Sequence, residues 1–194
     1  MEMGKRKMLA VLYLNNSWEW SGGYGYYLEQ AGFGKAPLPS IDGYSAFRNF
    51  VAKYASCEKA HQLFYDYVKF ILTRTNRYTK KKYKDDPAIM SWQIGNEPRA
   101  FSKEQLPAFE KWLGEASKLI RSLDKNHLIS IGSEGKWGCE GELNCWERIC
   151  ADKNVDYCNI HLWPYNWSWA RKDHLQEDLG ISCQNTKEYI DEHL

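Results

Sequence analysis

Four short apolar runs alternate along this chain with stretches whose apolar residues recur at helical spacing. The runs are Lys7–Leu14, Ile89–Gly95, Leu128–Gly132 and Val155–His161, each of strand length. Between them, residues 57–78 place Leu63, Phe64, Tyr67, Val68, Ile71 and Leu72 on one helical face. Ser102–Gln105 offers a capping sequence for a helix to Leu123 with Leu106, Phe109, Trp112, Leu113, Ala116, Leu119 and Ile120 on its core face. Short helices are predicted over Glu142–Cys150 and from Thr186 to Leu194. Strands that alternate with helices build a parallel sheet through right-handed crossovers. The expected fold is therefore α/β, a partial (β/α)8 barrel of about four units, since a complete barrel takes about 250 residues. The 194 residues begin just before a strand and end within a helix, so residues 1–194 read as one incomplete barrel domain.

The second run ends abruptly in Asn96-Glu97-Pro98. Pro98 cannot donate to a sheet ladder and so stops the strand. A carboxylate is thereby set at the C-terminal lip of a buried parallel strand, the face on which barrel folds carry their chemistry. Glu97 is the first catalytic candidate, a carboxylic acid able to protonate a leaving oxygen. Asn96 beside it offers an amide for a hydroxyl. The structural alternative is a Glu97 that caps the next helix or pairs with Arg99.

The other strand ends are rich in rings and polar groups. Asn15 precedes a segment carrying Trp18 and Trp20, and this segment from Asn15 to Ser56 is expected to be a long functional loop. Glu134 follows the third run. His161 ends the fourth, followed by Trp163 and Trp167, a grouping that suits a binding wall. With 9 Trp and 13 Tyr, the chain has flat rings enough to line a groove against the C–H faces of sugars.

Several classes are excluded. A net charge of +1 gives no case for a nucleic-acid partner, and no apolar stretch is long enough to span a bilayer. No Gly-x-x-x-x-Gly-Lys opens a helix, so no phosphate cradle is expected. Six cysteines without a C-x-x-C pair argue against a zinc knuckle. Cysteines between 139 and 158 are dense enough for one or two disulfides in an exported protein, with buried free thiols as the alternative.

These residues together resemble the glycoside hydrolase family 5 endo-β-1,4-mannanases. The resemblance is carried by Leu14-Asn15-Asn16 through Gly22-Gly23, by Asp85–Arg99, by Gly132-Ser133-Glu134-Gly135 and by His161-Leu162-Trp163-Pro164. It implies barrel strands 3 to 6 and endo-acting, retaining cleavage of β-mannan without a cofactor. It makes Glu97 the general acid/base, Asn96 the amide that holds the sugar 2-hydroxyl and His161 the active-site histidine. It places Arg99, Glu134, Asn15, Trp18, Trp20, Trp163 and Trp167 on the substrate side. Trp163 stands where many members have a tyrosine that touches the nucleophile. The nucleophilic glutamate itself has no counterpart here, so the isolated chain is expected to be inactive and to self-associate through exposed sheet edges. The family is exported as a rule, which implies an extracellular or periplasmic protein, although no signal peptide is present in this chain. A β-1,4-glucanase of the same family and a non-catalytic carbohydrate-binding protein remain as alternatives.

Overall fold

The residue pattern predicts strands that are buried on the side facing helices. In the computed structural model, which describes residues 2–194, three of them form: β1 (Ala10–Tyr13), β2 (Ile89–Gln93) and β3 (Leu128–Ser130), all parallel in the order β1-β2-β3. The helices are α1 (Glu2–Lys5), α2 (Tyr24–Ala31), α3 (Pro39–Asp42), α4 (Tyr44–Val51), α5 (Glu58–Thr73), α6 (Leu106–Leu123), α7 (Leu143–Cys150) and α8 (Leu179–Glu192). The chain divides into two compact units, one running to Asn159 and the other spanning Ile160–Leu194.

Side chains alternate across a strand, so the register sorts them by face. Leu12 pairs with Trp92 and Trp92 with Ile129. Leu14, Trp92, Ile94, Ile129 and Ile131 on that side are buried. The buried stripe of α6 (Phe109, Trp112, Leu113, Ala116, Ile120) is the one its periodicity predicts, less Leu106 and Leu119, which are half-buried. The opposite face pairs Val11 with Ser91 and Ser91 with Leu128. Here Val11, Tyr13 and Leu128 are 43%, 49% and 42% exposed, whereas Ser91 is buried and accepts a hydrogen bond from the Tyr157 hydroxyl (3.0 Å).

Below the sheet, before β3, the Trp92 indole N–H donates to Asp124 Oδ2 at 2.7 Å. The His127 ring lies 2.7 Å from the same oxygen, and the backbone N–H groups of Asn126 and His127 donate to Oδ1. Burial pushes the Asp124 carboxyl up, but the bonds from Trp92, His127 and the two amides outweigh it and hold the group below the ordinary aspartate range. A second core is aromatic. Tyr24 of α2 stacks on Tyr54 at 3.9 Å, and Trp112 of α6 meets both rings edge-on. Burying such rings contributes about 2–3 kcal/mol each.

Several expectations need correction, among them the helix read over residues 57–78, which ends at Thr73 and leaves Tyr67 exposed. The run at residues 155–161 makes no strand: Tyr157 forms one isolated parallel bridge with Ser130. Asp156 interrupts the ladder: its own N–H still donates to Ile129 O (2.9 Å), but its carboxylate takes the Ile129 N–H (2.7 Å) that a backbone carbonyl of a continuing strand would accept. Residues 15–56 are not one long loop but carry α2, α3, α4 and the 3₁₀ turn Ala52–Ser56, packed through Leu28, Phe47, Val51 and Tyr54. Ser102 does not cap α6; its hydroxyl bonds Glu104, and the helix opens at Leu106 with Pro107 in its first turn. The last helix starts earlier than its periodicity predicts, at Leu179.

The second unit is held by α8. Trp167 and Trp169 pack on Tyr189 of α8 at 5.1 and 6.1 Å. Arg171 pairs with Asp178 before the helix, and this contact brings the Asp178 carboxyl down to about 2. Cys150 and Cys158 form a disulfide; Cys57, Cys139, Cys145 and Cys183 are free thiols.

Candidate active site

The three strands continue as hydrogen-bonded chain past their formal ends, and this continuation builds the site. Ile94 N–H donates to Ser130 O, Gly95 N–H to Ile131 O and Glu97 N–H to Gly132 O (2.9–3.2 Å). On the other side Asn96 N–H donates to Asn15 O (2.9 Å), and Ser17 N–H returns a bond to Asn96 O (3.2 Å). Glu97 is thus clamped from both flanks in a left-handed backbone conformation, φ 51°. For a residue with a Cβ that conformation costs about 1–2 kcal/mol. Strain of this kind collects where a side chain must be aimed. Gly132 completes the clamp: a Cβ there would stand 1.8 Å from Gly95 O.

The aimed group is the carboxylate of Glu97, a residue 8% exposed. Its Oε2 accepts the Trp18 indole N–H at 2.7 Å. The Trp18 ring lies near-parallel to Phe47 (6.3 Å, 17°) and meets Phe101 edge-on at 5.4 Å. Trp20 stacks on Trp18 and is half-exposed. Asn96 is half-buried, with its Nδ2 at 3.5 Å from Asn16 Oδ1.

Charge is arranged beside the carboxylate. Arg99 donates from Nε to Glu140 (3.0 Å) and from a terminal nitrogen to Glu134 (3.3 Å), and Arg48 reaches Glu140 from α4 at 3.4 Å. Glu134 is 3% exposed. The guanidinium expected to meet sugar is therefore engaged by two carboxylates. Asn15 is also turned inward: its Nδ2 donates to the Tyr54 hydroxyl and its Oδ1 accepts Asn16 N–H. Burial pushes the Tyr24 phenol up, against smaller opposing contacts from the Ser17 hydroxyl and the Arg99 backbone, so a neutral ring underlies the Trp18 loop.

Glu97, Asn96, Asn15, Trp18, Trp20, Arg99 and Glu134 share the C-terminal rim of the sheet in the first unit. His161, Trp163 and Trp167 belong to the second unit, where His161 is half-buried and Trp163 is 47% exposed. The pairing of His161 with Glu97 rests on the sequence. Sequence reasoning missed Glu140 and Tyr54, and read Asn16 only as part of the Asn-Asn pair that follows the first strand. Glu140 carries no local signal, since its partners Arg99 and Arg48 lie 41 and 92 residues away. Among the described residues, no group of three or more His, Cys, Asp or Glu is placed to hold a metal ion.

A parallel sheet with a clamped glutamate at its C-terminal mouth is the arrangement that barrel glycosidases use. The family model described as GH family 5 beta-mannosidase-like matches residues 1–194. The chain belongs to that family. It is 31% identical to mannan endo-1,4-beta-mannosidase 4 of Oryza sativa subsp. japonica, over 98% of this chain and 41% of the relative. It is 33% identical to mannan endo-1,4-beta-mannosidase 4 of Solanum lycopersicum, over 86% of this chain and 41% of the relative. A glycoside hydrolase family 5 mannosidase from Rhizomucor miehei, solved in complex with mannosyl-fructose, superposes with a TM-score of 0.76 at 33% identity, covering 87% of this chain and 39% of that one. The fold is thus a partial (β/α)8 barrel of glycosidase type, and the chain spans about two-fifths of the length of the relatives it matches.

Proposed function

We propose that the complete protein cleaves β-1,4-mannan internally with retention, and that Glu97 is its general acid/base. The observation that carries this is the Glu97 side chain, buried at the strand mouth and held there on a left-handed backbone whose N–H, with the Asn96 N–H and C=O, is hydrogen-bonded to both flanking segments. A second carboxylate attacks the anomeric carbon while the Glu97 proton passes to the glycosidic oxygen and the C–O bond breaks. The Glu97 carboxylate then takes a proton from water, and the resulting hydroxide equivalent releases the sugar. The resemblance places the nucleophile outside these residues, so the isolated chain is expected to bind sugar weakly and turn none over. The resemblance gives Asn96 the contact to the 2-hydroxyl and makes His161 the active-site histidine, and the rings of Trp163 and Trp167 that follow it suit sugar binding.

The test is hydrolysis of mannan and of cellulose by a barrel completed with the family's remaining units. Glu97→Gln is expected to lower the mannan rate about 10²–10⁴-fold. Unchanged activity in that variant would remove Glu97 from its role, and faster cleavage of cellulose would move the substrate to a glucan.

The Cys150–Cys158 disulfide supports an extracellular or periplasmic location, because such bonds persist in oxidising compartments. Among the described residues β1 is an edge strand whose Val11 and Tyr13 are exposed, and Leu128 is exposed on β3; these features support self-association. Sedimentation of the chain would show species above 22.7 kDa. A Tyr13→Lys variant is expected to shift them toward monomer, and a wild-type chain that stays monomeric at every concentration ends this proposal.

A further inference from the structure

The Trp18–Glu97 contact joins residues 79 apart in sequence, and it constrains more than the side chain's direction. An indole N–H can only donate. It therefore seeks the better acceptor of a carboxyl group in either charge state. In the ionised group the two oxygens are equivalent; in the neutral acid the carbonyl oxygen accepts and the hydroxyl oxygen carries the proton. With Trp18 Nε1 at 2.7 Å from Oε2, the carbonyl character of the neutral acid is drawn to Oε2. We propose that Trp18 is a positioning residue for the acid/base, fixing Oε2 as the acceptor and so placing the transferable proton on Oε1. This deepens the glycosidase reading and rests on it.

The ring is built to hold that bond. Phe47 and Trp20 lie near-parallel to the indole, and Tyr44 and Phe101 meet it edge-on. Phe47 is fully buried in α4, which anchors the indole to the helical layer rather than to the open rim. The backbone N–H of Trp18 is tied to Asn16 Oδ1 at 3.0 Å, so donor and acceptor loops share one hydrogen-bonded frame. Trp18 thus acts through Glu97, and the half-exposed Trp20 is left as the ring of this pair that can meet a sugar.

The experiment reads the contact directly on this chain. Uniform 15N labelling gives one indole N–H resonance for each of the 9 tryptophans. The Trp18 resonance, assigned by its absence in Trp18→Phe or by through-space contacts to Phe101 should that variant not fold, is expected to titrate with a single midpoint. The same midpoint should appear in the side-chain 13C signal of Glu97. In Glu97→Gln the indole titration is expected to vanish while the remaining indole resonances keep their positions. In Trp18→Phe the Glu97 midpoint is expected to rise by about one pH unit, the worth of a hydrogen bond to a charged group. A Trp18 resonance indifferent to Glu97, or a Glu97 midpoint unmoved in Trp18→Phe, overturns the proposal. The reading of Glu97 as acid/base fails separately, in the hydrolysis assay, because the titration needs no turnover.

Discussion

Two indole–carboxylate hydrogen bonds of the same length, 2.7 Å, lie at opposite ends of one sheet. At the base, Trp92 donates to Asp124, a carboxylate 1% exposed whose oxygens also accept from His127 and two backbone amides. At the rim, Trp18 donates to Glu97, a carboxylate set on a left-handed backbone. The chemistry of the pair is identical and the surroundings are not. Asp124 ties the end of α6 to the start of β3 and relieves four donors at once, so it serves stability. Glu97 is held in a conformation that costs energy, so its carboxylate is aimed at the expense of the fold. The division matches the general polarity of parallel barrels, with stability at the N-terminal face of the strands and chemistry at the C-terminal face.

The contrast can be broken by measurement. The largest stability effect is expected at the base. Asp124→Ala leaves the Trp92 indole, His127 and two amides without their acceptor, and should cost about 3–5 kcal/mol in urea denaturation. A loss below about 1 kcal/mol, the size of an ordinary exposed pair, would make Asp124 no more structural than a surface carboxylate.

A second effect follows from the direction of the Asp124 titration. Its folded carboxyl sits below the ordinary value of 3.8, so its contribution is fully present above that value and fades as pH falls through the lower, folded one. The stability gap between wild type and Asp124→Ala should therefore be constant near neutrality and narrow below about pH 4. A gap that widens on acidification would reverse the sign and exclude the carboxylate as its source.

The smallest effect is expected at the rim. Glu97→Gly removes the left-handed strain while giving up the Trp18 bond, so stability should stay level or rise by up to about 1 kcal/mol. A loss comparable to that of Asp124→Ala would erase the distinction between the two ends.

Much of this was legible in the residues. The helical stripe of Phe109, Trp112, Leu113, Ala116 and Ile120 and the strand at Ile89–Gln93 are local patterns, and local patterns survive folding when the periodic face is strongly apolar. The position of Glu97 was legible for the same reason: an apolar run of strand length closed by proline sets the residue before the proline at the strand's end. The failed strand at 155–161 was not legible, because its apolar pattern is adequate and Asp156 defeats it through a bond to Ile129, 27 residues away. The helices in 15–56 were hidden by glycines and aromatics that only packing orders.

The alternation of strands and helices and the carboxylate at the lip of the second strand depend on neighbours a few residues apart, and so can be read from the order of residues. The partner of each charged or polar group cannot: Trp18 for Glu97, Glu134 and Glu140 for Arg99, and Tyr54 for Asn15 are chosen by folding. Those pairings span 35 to 79 residues, and they are set by sheet register and helix packing, which bring distant side chains to hydrogen-bonding distance without leaving a local trace.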